Sequence, residues 1–216
     1  MVHVKICGVR TAEDARGCVV LGASSIGINF VPSSPRSVDV GTAREIARAA
    51  HDASATCVVV GVVADLSLEA MRALRGGAGL DCLQLHGAES HEVVAALLPH
   101  AYKAVRIGGA ADVERARAYP GEHLLVDARV EGLLGGSGAT FDWSLVKALA
   151  RERRITLAGG LTTSNVAQAI REVEPYCVDV ASGVEVPGRP GEKDLAKVRA
   201  FIDLDRTVHF DKLGVN

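Results

Sequence analysis

Short apolar runs rich in β-branched residues alternate along the chain with longer stretches whose apolar positions recur at helical spacing. The short runs are His3 to Cys7, Ser25 to Phe30, Cys57 to Val63, Cys82 to His86, Tyr102 to Arg106, His123 to Asp127, Ile155 to Ala158 and Cys177 to Ala181. Between them, stretches such as Ala43 to Ala50 and Leu66 to Leu74 keep Arg and Glu outside an apolar stripe, as crossover helices do. Regular alternation of strand and helix builds a parallel sheet. Eight units in 216 residues leave 27 residues each, enough for a strand of about five residues, a helix of about three turns and two short loops. The expected fold is a single (β/α)8 TIM barrel of the α/β class, one domain over residues 1–216 with a short C-terminal tail from about residue 203. An open doubly wound sheet uses the same right-handed units. Its nucleotide signatures are missing, since no GxGxxG follows the first strand and no GxxxxGK[ST] occurs.

Composition narrows the partners. Hydrophobic residues make up 48% of the chain against 23% charged, which excludes disorder and supports a packed core. At a net charge of −2 no field of one sign is available to hold nucleic acid or an anionic membrane, so neither is expected as a partner. The longest apolar stretch, Cys57 to Ala64, is far shorter than the roughly 20 residues that cross a bilayer. The alternating start from Met1 to Cys7 has neither the n-region nor the h-region of a signal peptide, and a cytoplasmic location is expected. Five dispersed cysteines, with no CxxC and no HExxH, give neither a disulfide framework nor a zinc site, so no metal is expected. A small-molecule partner remains.

In such a barrel the working groups sit where the strands end at the C-terminal face. The polar residues there are Lys5 and Cys7, Asn29 and then Arg36, Gln84 and His86, Arg106, and Asp127. Two glycine-bearing turns, Ala158-Gly159-Gly160-Leu161 and Ala181-Ser182-Gly183-Val184, follow the seventh and eighth runs, where this fold commonly holds a phosphate. Unsubstituted backbone approaches an anion closely and aims N–H groups at it. Either turn alone need only join a strand to a helix; the two in consecutive loops point to a phosphate site. Glu185 close by must then point away from that phosphate.

Cys7, followed by Gly8, puts a thiol at the mouth of the barrel. A thiolate serves as a general base near neutrality if its pKa, ordinarily about 8.5, is modestly lowered, and Lys5 on the same strand face is placed to lower it. The competing reading is plain burial, a common fate of free cysteine, to which Cys18, Cys57, Cys82 and Cys177 are assigned. Asp127 is either an acid that donates a proton at the mouth or a loop cap. Ala128 to Thr140, with Gly135-Gly-Ser-Gly138, has the composition of a lid that excludes water, and Asp142 suits a helix N-cap. Arg36 in Ser34-Pro-Arg36 offers a fork of donors to a substrate carboxylate or is simply solvated. His86 contacts substrate or packs at the rim.

Taken in order, Lys5-Ile-Cys-Gly8, Ser34-Pro-Arg36, Gln84-Leu-His-Gly87, Gly135-Gly-Ser-Gly138 with Phe141-Asp-Trp143, Ala158-Gly-Gly-Leu161, Ser182-Gly-Val-Glu185 and Pro190-Gly-Glu-Lys-Asp194 resemble the motifs of the phosphoribosylanthranilate isomerases. The likeness runs from the first strand to the last helix; each motif is weak, and the set in order is specific. It implies a cofactor-free isomerase of tryptophan biosynthesis, which turns N-(5-phosphoribosyl)anthranilate into 1-(2-carboxyphenylamino)-1-deoxyribulose 5-phosphate by an Amadori rearrangement. The resemblance makes Cys7 the base, Asp127 the acid and Arg36 the carboxylate anchor. The loops carrying Gly159, Gly160, Ser182 and Gly183 would hold the substrate's phosphate, and His86, by its position alone, is kept as a candidate substrate-binding residue against the plainer reading of packing at the rim. A monomer or homodimer is expected. Ala181 stands where a second serine is frequent in the family, and no motif covers the tail. A histidine-pathway isomerase that uses two aspartates would carry aspartate in place of Cys7. Use of a second aminoaldose substrate stays open, and a non-catalytic phosphate-binding barrel would have no need of acid, base and arginine together.

Overall fold

The computed structural model describes residues 2–127 and 143–213. Eight parallel strands close into a barrel in sequence order: β1 (His3–Cys7), β2 (Ser25–Asn29), β3 (Val58–Val63), β4 (Cys82–Leu85), β5 (Ala101–Arg106), β6 (His123–Asp127), β7 (Arg154–Ala158) and β8 (Cys177–Val180), with β8 pairing back onto β1. The helices are α1 (Ala12–Leu21), α2 (Val40–Ala53), α3 (Leu68–Ala78), α4 (His91–Leu97), α5 (Ala110–Ala118), α6 (Ser144–Glu152), α7 (Val166–Val173) and α8 (Leu195–Leu213), the last preceded by a 3₁₀ turn at Ser182–Val184.

All eight expected strands form, and their edges move slightly. Phe30, Cys57, His86 and Ala181 fall outside, while Ala101 and Arg154 join. Phe30 and His86 still donate their N–H groups to the carbonyls of Val62 and Val63, so pairing outlasts the regular geometry. The helix expected from Leu66 starts at Leu68, because the Ser67 hydroxyl accepts the Ala70 amide and caps it. Beyond residue 203, where a tail was expected, α8 continues to Leu213.

Parallel strands wrapped by helices need apolar groups on their outer face. Ile6, Ile26, Ile28, Leu83 and Leu124 pack there with Ile46, Met71 and Phe201 from the helices. The inner face differs. It holds a small apolar cluster of Val60, Tyr102, Ala104 and Leu125 and a buried polar set. Lys5 of β1 donates to Gln84 Oε1 of β4 at 2.7 Å and to Asp179 Oδ2 of β8 at 2.8 Å. Because β1 and β4 are not neighbours, that contact crosses the interior. Side chains alternate along a strand, so Cys7, two residues past Lys5, also points inward, at the mouth. A cavity of about 510 Å³ lies at the opposite end, against His3, Lys5, Tyr102 and Cys177.

Candidate active site

A cavity of about 500 Å³ opens at the C-terminal ends of the strands. Cys7, Arg36, His86, Asp127, Gly159, Gly160 and Ser182 all line it, although they come from six different strands or strand-following loops. Gly183 does not line it. A Cβ at Gly183 would lie 2.1 Å from the carbonyl oxygen of Leu161, so glycine lets the loop after β8 pack on the loop after β7.

The thiol of Cys7 fits because its β2 neighbour is small. Cys7 is in register with Gly27, where a Cβ would come within 2.7 Å of the sulfur. Burial pushes the Cys7 thiol above its ordinary range, and the nearby Asp179 carboxylate pushes the same way, against Lys5 and Lys193. The lowering expected from Lys5 is therefore present but outweighed. Lys5 itself is 2% exposed. Burial disfavours its charge, yet Asp179 and the neighbouring groups prevail and hold its pKa well above the ordinary value. Burial pushes the other four cysteines up to between about 11 and about 12; Cys18, Cys57 and Cys177 are buried as expected, while Cys82 is only half-buried and lines the cavity at the opposite end.

Asp127 closes β6 in register with Arg106 of β5 and Ala158 of β7, on the same mouth as Cys7 and separated from β1 by β7 and β8. His86 Nδ1 lies 3.2 Å from Gln84 Nε2. An amide nitrogen only donates, so Nδ1 accepts and the ring is neutral; burial lowers its pKa accordingly. In the loop after β7, Gly159 and Gly160 take φ values of 96° and 66°, a region open to glycine. Asn165 pins this loop by accepting the Thr162 amide and donating to the Gly160 carbonyl.

Arg36 is half-buried and paired. The Ser34 hydroxyl accepts its backbone N–H at 3.2 Å, and its guanidinium donates from Nε and Nη2 to the two carboxylate oxygens of Glu185, both at 2.7 Å. Glu185 thus turns toward Arg36 and away from the glycine turns, as a phosphate there would require. Reading strand ends missed Asp179. It is 7% exposed, it lines the cavity, and its Oδ1 is the buried side-chain oxygen left without a partner among the described residues. The signal was a charge at an inward position of β8, of the same parity as Ala181. The Gly135-to-Gly138 lid and the Asp142 cap lie outside the described residues; α6 begins with Trp143 in the cap position. Among the described residues no group of three or more His, Cys, Asp and Glu side chains is arranged to hold a metal ion, and no helix is long and apolar enough to cross a membrane.

Fold and cavity together define a class: (β/α)8-barrel enzymes whose cavity at the C-terminal strand ends is lined by ionisable side chains from separate strands and by glycine-bearing turns. Comparison with known proteins narrows the class. The profile of the family described as N-(5'phosphoribosyl)anthranilate (PRA) isomerase matches residues 4–204. A Pseudomonas aeruginosa (strain UCBPP-PA14) protein named N-(5'-phosphoribosyl)anthranilate isomerase is 43% identical, covering 98% of each chain. The crystal structure of phosphoribosyl anthranilate isomerase from Thermotoga maritima superposes with a TM-score of 0.87 at 36% identity, covering 96% of this chain and all of that one. Another such isomerase, in complex with reduced 1-(o-carboxyphenylamino)-1-deoxyribulose 5-phosphate, superposes at 0.84 with 34% identity over 96% of this chain and 100% of its own. The chain belongs to the phosphoribosylanthranilate isomerase family.

Proposed function

We propose that the chain catalyses the Amadori rearrangement of N-(5-phosphoribosyl)anthranilate to 1-(2-carboxyphenylamino)-1-deoxyribulose 5-phosphate, an isomerisation of tryptophan biosynthesis. The observation that carries this reading is the single cavity that joins Cys7, Asp127, Arg36 and the two glycine-bearing turns. Asp127 donates a proton to the furanose ring oxygen as the C1–O bond breaks. The resulting Schiff-base cation acidifies the C2 hydrogen, and the Cys7 thiolate removes it. The enolamine then tautomerises to the ketone. Arg36 holds the anthranilate carboxylate and the loops around Gly160 and Ser182 hold the phosphate, with His86 against the substrate. Anchoring both ends places the reacting carbons between acid and base, which is how orientation lowers a barrier.

The reaction needs no cofactor in this scheme, and the partner is a small phosphorylated molecule met by a monomer or homodimer. We also place the chain in the cytoplasm, where five unpaired cysteines suit a reducing environment.

The test follows the loss of phosphoribosylanthranilate fluorescence with purified chain and no added metal. Cys7→Ser and Asp127→Asn should each lower kcat by about a hundredfold or more while the reduced product analogue still binds. Near-full turnover by Cys7→Ala would refute the assignment of the base.

A further inference from the structure

Arg36 is held by more than one carboxylate–guanidinium contact. Its side chain lies over the backbone next to the thiol, since a Cβ on Gly8 would sit 2.4 Å from Arg36 Cδ. On its other side is Glu185, 6% exposed, whose Oε1 accepts from Arg36 Nε, from the Gly191 amide at 3.0 Å and from Lys193 Nζ at 3.0 Å. Lys193 in turn donates to the carbonyl of Cys7 at 2.7 Å and to that of Ala181 at 3.4 Å. A continuous chain of charged hydrogen bonds therefore links the loop after β2, the loop after β8 and the end of β1. Arg36, Lys193 and Gly191 outweigh burial and hold the Glu185 pKa down at about 2, so the carboxylate is charged throughout the working range.

We infer that Glu185 is a positioning residue for the reaction: with Lys193 it fixes the guanidinium of Arg36 at a set distance from Cys7, and so sets where the carboxylated end of the substrate lies relative to the base. The inference rests on the proposed role of Arg36 as carboxylate anchor. It carries a counterintuitive sign. A buried carboxylate beside an anion anchor repels the incoming carboxylate, so on charge alone its removal would tighten binding. On the positioning account removal weakens binding, because a guanidinium fork grips a carboxylate only in a fixed orientation.

The experiment measures binding of two ligands, the reduced carboxyphenylamino-deoxyribulose phosphate and its counterpart without the carboxylate, to the full chain and to Glu185→Gln, Arg36→Met and the double variant. Glu185→Gln should weaken the carboxylated ligand about tenfold, of the order expected for a disturbed charge-assisted pair, raise KM for substrate, and leave the ligand without carboxylate unchanged. In the Arg36→Met background it should add nothing. Tighter or equal binding of the carboxylated ligand by Glu185→Gln, or equal weakening of both ligands, would overturn the inference while Arg36→Met still discriminates between them. If Arg36→Met fails to discriminate, it is the anchor reading that falls. Should Glu185→Gln not fold, Glu185→Asp, which keeps the charge on a shorter arm, must show the same selective loss.

Discussion

At the scale of single residues, Cys7, the thiol proposed as the base, sits where the protein disfavours its charge. Burial raises the Cys7 pKa and Asp179 raises it further; because the thiolate is the reactive form, kcat/KM should climb with pH through neutrality and level off only once Cys7 ionises. Asp179→Asn removes one of the two upward pushes and leaves Lys5 less neutralised, so the inflection should move to lower pH. A pH–rate profile in which it stays or rises would show that Cys7 does not sense that charge. Cys7 and Asp127 were legible because each closes an apolar run, where a polar side chain stands out. Asp179 was hidden for the opposite reason. It sits inside Cys177-Val-Asp-Val180, and only its pairing with Lys5, 174 positions away, explains a charge there.

At the scale of elements, the strands were readable because parallel strands in a barrel are apolar runs bounded by turns, and the helices because their stripes repeat. Less readable was which neighbours must be small. Gly27 reads as an ordinary strand residue, yet register places it against Cys7. Gly27→Ala should therefore push the thiol out of line, lowering kcat with KM little changed, at a stability loss of about 1–3 kcal/mol for an added methyl in a packed site. Steady-state kinetics with a urea melt would separate the two effects, and an unchanged kcat would mean that the sulfur does not need its present position. The pairing of Arg36 with Glu185 was likewise out of reach, since 149 residues separate them, and composition marked Glu185 only as an awkward charge.

At the scale of the whole molecule, buried titratable groups make the fold sensitive to acid, and of those that titrate below neutrality His123 and Glu185 show the largest shifts. His123 is stacked on Tyr102 with ring centroids 4.4 Å apart and lies 2.7 Å from the Thr156 hydroxyl. Burial, helped by Lys5, lowers its pKa from 6.5 to about 4. The unfolded chain then binds a proton that the folded chain refuses, so stability is full above pH 6.5 and falls as pH drops toward 4, by about 3 kcal/mol at most. Glu185, lowered from 4.5 to about 2, acts in the next window, its contribution present above pH 4.5 and lost below it. Melting temperature against pH should show this two-stage decline, and His123→Gln should shrink the upper stage, to which His86, also lowered by burial, adds, and leave the lower stage unchanged; an unaltered upper stage in that variant would assign it elsewhere. The polar set that crosses the barrel has a consequence of another kind. Lys5 borders the lower cavity, while Gln84 and Asp179, which it holds, border the upper one, so the tube is divided by a bulkhead of paired charges. Cys57, Cys82 and Cys177 lie below it and Cys7 above it. The molecule thus keeps two thiol compartments with separate doors, and whatever fills the upper one shields a single cysteine out of the five.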